Sequence, residues 1–115
     1  SNLFKDRSKA QLSETLPDSV PGNLSGRPTF DRSNQLIKLA RQRAGNKLVI
    51  SGVGGVFSAE DAYIKIRSGA NLVQMVTCLM FEGPQIVGHI NHGLVKLLAR
   101  DGFSNISEAV GVDLN

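Results

Sequence analysis

Hydrophobic and polar positions follow no period over residues 1–32 and then settle into a helix–strand rhythm. The first stretch carries Pro17, Pro21, Pro28, Gly22 and Gly26 among many polar residues and predicts a long loop. Loops of that length in compact domains are functional lids or disordered segments. From Ser33 the spacing predicts a helix. Leu36, Ile37, Leu39, Ala40 and Ala44 form its apolar stripe, with Lys38, Arg41, Gln42 and Arg43 opposite. Asp31 or Ser33 would cap it, and Gly45-Asn46 would stop it. "KLVIS" follows as a short apolar run with β-branched residues, read as a strand buried on both faces. Ser58, with Asp61 three residues later, predicts the N-cap of a second helix, whose buried face is Ala59, Ala62, Tyr63 and Ile66. Gly69 ends it, and "NLVQMV" reads as a second strand, buried except at Gln74. A further helix is expected from Gln85 to Arg100, started by Pro84 and closed by Gly102. Its stripe is Ile86, Val87, Ile90, Leu94, Leu97 and Leu98. "SNISEAVG" predicts a last short helix, opened by Ser104 or Ser107.

Residues 47–76 thus form a β-α-β unit, whose two strands must run parallel. The order α-β-α-β-α is that of an α/β protein. Two strands cannot make a parallel sheet with both faces covered. The expected fold is therefore the C-terminal part of a (β/α)8 TIM barrel, a fold that usually takes about 250 residues. Residues 1–32 would be a loop or lid segment, and residues 33–115 the β/α units of the barrel. The chain opens at Ser1 without an initiator Met or an apolar leader, and the expectation is a piece of a longer protein.

Composition refines this picture by exclusion. The 115 residues are 41% hydrophobic and 20% charged, an ordinary globular balance. No apolar run is long enough to span a membrane. The net charge of +3 is scattered rather than striped, and the few aromatics do not interleave with the basic residues, so a nucleic-acid partner is not expected. A single cysteine, Cys78, excludes an internal disulfide and a Cys-rich zinc site.

The candidate chemistry lies at the exits of the two strands. In barrels of this kind the loops after the last two strands often bind a phosphate. "SGVGGVFSAED", residues 51–61, places Gly52, Gly54 and Gly55 before a helix start. Taken alone, the cluster reads equally as a tight strand-to-helix turn. Thr77-Cys78 follows the second strand. "NLSGRP", residues 23–28, is another small-residue turn, in which the Ser25 hydroxyl and Gly26 amide could meet the same anion or simply turn the chain. A dinucleotide fingerprint fails for want of a third glycine and of an acidic residue after the next strand, and no Gly-Lys-Ser/Thr forms a Walker loop. His89 and His92 of "HINH" fall off the buried stripe and read as surface residues, so no metal is expected. Cys78 reads as buried filler. Glu60 and Asp61 suit a helix start, and no carboxylate pair for acid–base chemistry is present.

These segments together resemble dihydroorotate dehydrogenase of the membrane-associated, quinone-using class. The likeness rests on "GNLSGRP" (22–28), "VISGVGGVFSAEDAYIKIRSGANLVQMVT" (49–77), "FEGP" (81–84) and "ISEAVGVD" (106–113). It implies an FMN enzyme of pyrimidine biosynthesis that oxidises dihydroorotate to orotate and passes the electrons to ubiquinone. It also implies, if the source is eukaryotic, a place at the mitochondrial inner membrane, reached through an N-terminal segment absent from this chain. By position, Ser25 and Gly26 match the family's phosphate-contacting turn, Gly54 and Gly55 its glycine loop, and Val76 and Thr77 the FMN-contacting pair after the last strand. Val76 stands where the family usually has Tyr, and residues 1–21 are longer than the usual segment. The family's catalytic base and substrate-binding residues would lie in the barrel upstream of Ser1, so no catalytic residue is assigned here. The competing expectations are a flavin-free barrel enzyme acting on a sugar phosphate, or a non-enzymatic α/β module that binds phosphorylated ligands.

Overall fold

The computed structural model describes residues 5–10, 12, 14 and 16–114; the rest of the expected N-terminal loop lies outside the described residues. Two short parallel strands, β1 (Ser51–Val53) and β2 (Leu72–Gln74), pair in the register Ser51↔Leu72, Gly52↔Val73, Val53↔Gln74. The helices are α1 (Phe30–Ala44), α2 (Ala59–Arg67), α3 (Thr77–Glu82), α4 (Ile86–Asp101) and α5 (Ile106–Ala109). Before α1 the described chain is loop, apart from 3₁₀ turns at Arg7–Lys9 and Arg27–Thr29.

The β-α-β unit forms as expected. Ser58 caps α2 by accepting the Asp61 N–H at 3.1 Å, which satisfies one of the helix's orphan donors. One face of α2 meets α4. Val56, Ala62 and Ile90 form one buried cluster, and Tyr63, Ile66 and Ala109 another; Val73 and Leu94 join the two.

Several expectations are corrected. Helix α1 begins at Phe30, three residues before Ser33, because the Arg27–Thr29 turn winds directly into it. Neither Asp31 nor Ser33 caps it. Ser33 is buried, and its hydroxyl donates to the Val53 carbonyl at 2.5 Å. The buried line of α1 is Ser33, Ile37 and Arg41, whereas Leu39 and Ala40 face solvent. Arg41 is therefore not on the solvent side. Its guanidinium donates to the carbonyls of Gly69 at 2.8 and 2.9 Å, Gly45 at 2.7 Å and Leu48 at 3.2 Å, and to the Asn71 side chain. Five donors in a planar fork suit this gathering of carbonyls, which a counting of apolar positions cannot detect.

The strands are shorter than the apolar runs and are not covered on both faces. Val49, Ser51, Leu72 and Gln74 are all exposed and share one side of the sheet by the alternation of strand side chains. Strand β2 stops at Gln74, so Val76 and Thr77 are not strand residues; Thr77 opens α3, a helix the pattern did not predict. Val87 of α4 is exposed, and the cap of α5 is Asn105, not Ser104 or Ser107.

Candidate functional site

Three separate stretches meet at the exits of β1 and β2. They enclose a cavity of about 220 Å³, lined by Ser25, Gly26, the run Val53–Phe57 and the run Met75–Cys78. The six residues matched to the family's phosphate and FMN contacts, Ser25, Gly26, Gly54, Gly55, Val76 and Thr77, line this one cavity, whereas Gly52 lies within β1 against Ile37, Lys65 and Ala70. Among the six, Ser25 and Val76 are exposed, Thr77 is half-buried and the three glycines are buried.

Each wall has a local cause. The first is the Ser25-Gly26 turn, closed where Thr29 donates to the Gly26 carbonyl from both its N–H (3.0 Å) and its hydroxyl (2.7 Å). The second is the glycine loop. Gly55 has φ +72°, a conformation that favours glycine, and a Cβ there would sit 2.6 Å from the Phe30 Cβ. Gly55 thus allows the loop to lie directly on the first turn of α1. Asp61 ties this wall to the first: its carboxylate accepts the Phe57 N–H at 3.0 Å and the Arg27 guanidinium at 3.0 Å. Arg27 also lies over the rings of Phe30 and Phe57, 5.7 and 5.3 Å from their centroids. The third wall is the start of α3, where Thr77 Oγ1 lies 2.9 Å from Ser25 Oγ. A Cβ on Gly26 would come within 3.1 Å of Thr77 Cγ2, so a larger residue at position 26 would crowd these two walls.

The donors facing the cavity are neutral. Two hydroxyls share one hydrogen bond, which leaves one hydroxyl proton free for a ligand. The N–H groups of Gly55 and Val56 donate to no acceptor among the described residues. No lining residue carries a charge. Burial raises the Cys78 thiol above its ordinary value, helped by Glu82 and Asp61, so it stays protonated at neutral pH and fills space, as its sequence reading held. His89 and His92 are exposed on α4, and the described residues hold no cluster of metal-binding side chains.

Sequence reasoning missed Phe57 and Met75 in the lining and Lys65 behind it. Lys65 is fully buried between α1 and α2, where it donates to Ser33 Oγ at 3.1 Å and Asn34 Oδ1 at 2.8 Å. Burial pushes its ammonium down to about 8, with Asp61 and Asp31 opposing that shift. The only signal in the sequence was position: Lys65 lies between Ala62 and Ile66 on the buried face of α2.

A model of the dihydroorotate dehydrogenase family matches residues 2–98. The chain belongs to the dihydroorotate dehydrogenase family. A dihydroorotate dehydrogenase (quinone) of Deinococcus radiodurans is 53% identical over 90 residues, which are 78% of this chain and 24% of that protein. Its counterpart in Halobacterium salinarum is 50% identical over 93 residues, 81% of this chain and 26% of that protein. A crystal structure of ligand-free DHODH from Eimeria tenella superposes with a TM-score of 0.81 at 27% identity, over 91% of this chain and 30% of that one. The fold is accordingly a partial α/β barrel. The chain spans about a quarter of the length of these curated relatives.

Proposed function

We propose that this chain supplies the FMN-phosphate pocket of a quinone-dependent dihydroorotate dehydrogenase. In that reading the whole enzyme oxidises dihydroorotate to orotate in pyrimidine synthesis and hands the electrons to ubiquinone. In a eukaryotic cell it would do so at the mitochondrial inner membrane. Residues 1–32 would then be a loop segment ending in the phosphate turn, and residues 33–115 the barrel units that complete the pocket. Bound FMN would supply the hydride acceptor; the residues here bind and orient it.

The observation that carries the reading is convergence. Three stretches far apart in sequence place two hydroxyls, backbone N–H groups without acceptors among the described residues, and glycines around one cavity. That donor set fits a phosphate, whose oxygens only accept. The volume supports a part of a ligand rather than the whole: about 220 Å³ falls below the ~300–1,000 Å³ of complete small-molecule pockets. The family gives the neutral pocket its substrate context, since the relatives named above are dihydroorotate dehydrogenases (quinone).

The test is the full-length enzyme carrying this sequence. It is expected to purify with flavin absorbance that bleaches on adding dihydroorotate and recovers with a quinone. A colourless protein that binds a sugar phosphate, or one that binds phosphorylated ligands without turnover, would overturn the reading.

A further inference from the structure

We propose that Lys65 is a positioning residue for the glycine loop: through the Ser33 hydroxyl it holds the Val53 carbonyl, and with it the entry to Gly54-Gly55, in the geometry that receives the phosphate. The inference rests on the FMN reading above.

The hydrogen-bond inventory carries it. An ammonium only donates, so Ser33 Oγ must accept from Lys65 Nζ at 3.1 Å. The one proton of Ser33 is then directed to the Val53 carbonyl, 2.5 Å away. Val53 is the last residue of β1 and itself lines the cavity. The same turn of α1 meets both ends of the relay. Phe30 offers its ring to Lys65 Nζ at 4.9 Å and its backbone to the close approach of Gly55. Both Lys65 and Ser33 are fully buried. A site that needed only packing would hold an apolar side chain there, because burying an ammonium is costly unless it is paired. The titratable groups facing Lys65 are Asp31 from α1 and Asp61 from α2; β1 meets its stem at Gly52.

A structural role and a positioning role predict opposite pH trends. Burial has lowered the lysine to about 8. Between that value and the ordinary one near ~10.4, the unfolded chain holds more protons, so this group adds to fold stability as pH rises. If the charged form aligns Ser33, FMN affinity must instead fall over the same rise.

The experiment measures the FMN dissociation constant of the full-length enzyme by flavin fluorescence from pH ~7 to ~9. The wild type should weaken as pH passes about 8. Lys65→Met should bind about tenfold more weakly at neutral pH, the scale of a lost charge-assisted hydrogen bond, with a flat profile. Lys65→Arg should keep the neutral-pH affinity without the decline. Ser33→Ala should weaken binding to a similar degree with the lysine in place, and it decides the matter if Lys65→Met fails to fold. Wild-type affinity that does not fall across this range, or Lys65→Met and Ser33→Ala variants that bind FMN as tightly as the wild type, would overturn this inference and leave the FMN reading standing. A wild-type enzyme that holds no flavin at any pH would overturn both.

Discussion

At the scale of single residues, the pocket depends on small side chains and on two hydroxyls. Thr77→Val removes the hydrogen-bond partner of Ser25 and, in the proposed reading, a donor to the FMN phosphate. It is expected to weaken FMN binding about tenfold, whereas Thr77→Ser should retain it; flavin fluorescence titration of the full-length enzyme checks both. Gly55→Val combines a φ of +72° with a Cβ 2.6 Å from Phe30. The loop must lift off α1, so the purified variant should lose its flavin and about 1–3 kcal/mol of stability, measured by urea unfolding. Five of the six lining residues were legible because hydroxyls and clustered glycines stand out in the sequence, whereas Val76 came only from the resemblance to the family. Lys65 and Arg41 were not. A charged residue next to an apolar stripe reads as solvated, and only the fold shows that its partners are carbonyls and hydroxyls under the surface.

At the scale of elements, α2 and α4 meet so closely that a Cβ on Gly93 would lie 2.4 Å from the Ala59 Cβ. Gly93→Val is expected to push the helices apart and cost about 1–3 kcal/mol, measured by thermal unfolding of the full-length enzyme. A second junction is electrostatic. Arg67 of α2 pairs with Asp101 of α4 at 3.1 Å and with Asp113 of the C-terminal turn at 2.6 Å, and the Tyr63 hydroxyl donates to Asp101 at 2.9 Å. Hydrogen bonds from Arg100 and Tyr63 lower Asp101 to about 2, and Arg67 lowers Asp113. Folded-state values below the ordinary ones mean stability that is present above about pH 4 and lost as pH falls toward about 2. Asp101→Asn should flatten that part of the acid-unfolding curve; an unchanged curve would show that the junction contributes nothing. Helices α2 and α4 were readable from their periods. Helix α3 was not, because "TCLMFE" is apolar around most of its circumference and only Cys78 is buried.

At the scale of the molecule, the chain is extended and flat, 49 × 34 × 19 Å along its principal axes. Its radius of gyration is 15.0 Å, against ~13 Å for a compact domain of this length. Leu48 and Val49 before β1 and Leu72 in β2 are 59%, 76% and 60% exposed, and the sheet has two strands among the described residues. Among the described residues the sheet edges and this apolar face are left uncovered. The isolated 115-residue chain is therefore expected to show no cooperative unfolding transition by circular dichroism and to aggregate. A sharp two-state transition would refute this.

By itself the sequence determined the β-α-β unit with its parallel pairing, the helices α1, α2, α4 and α5, and the family, because periodicity, turn residues and segment wording are local properties of the chain; α3 lay outside its reach. It also named six residues of the cavity lining, through small-residue turns, a hydroxyl after the second strand and the likeness to the family. The tertiary structure alone decided which of these residues meet, and across what distance. It also decided which charges lie inside and how short the strands are. Those outcomes depend on contacts between residues far apart in the chain, such as Ser25 with Thr77 and Lys65 with Ser33. No local pattern encodes such a contact, because its energy exists only once packing has brought the partners together and removed the water between them.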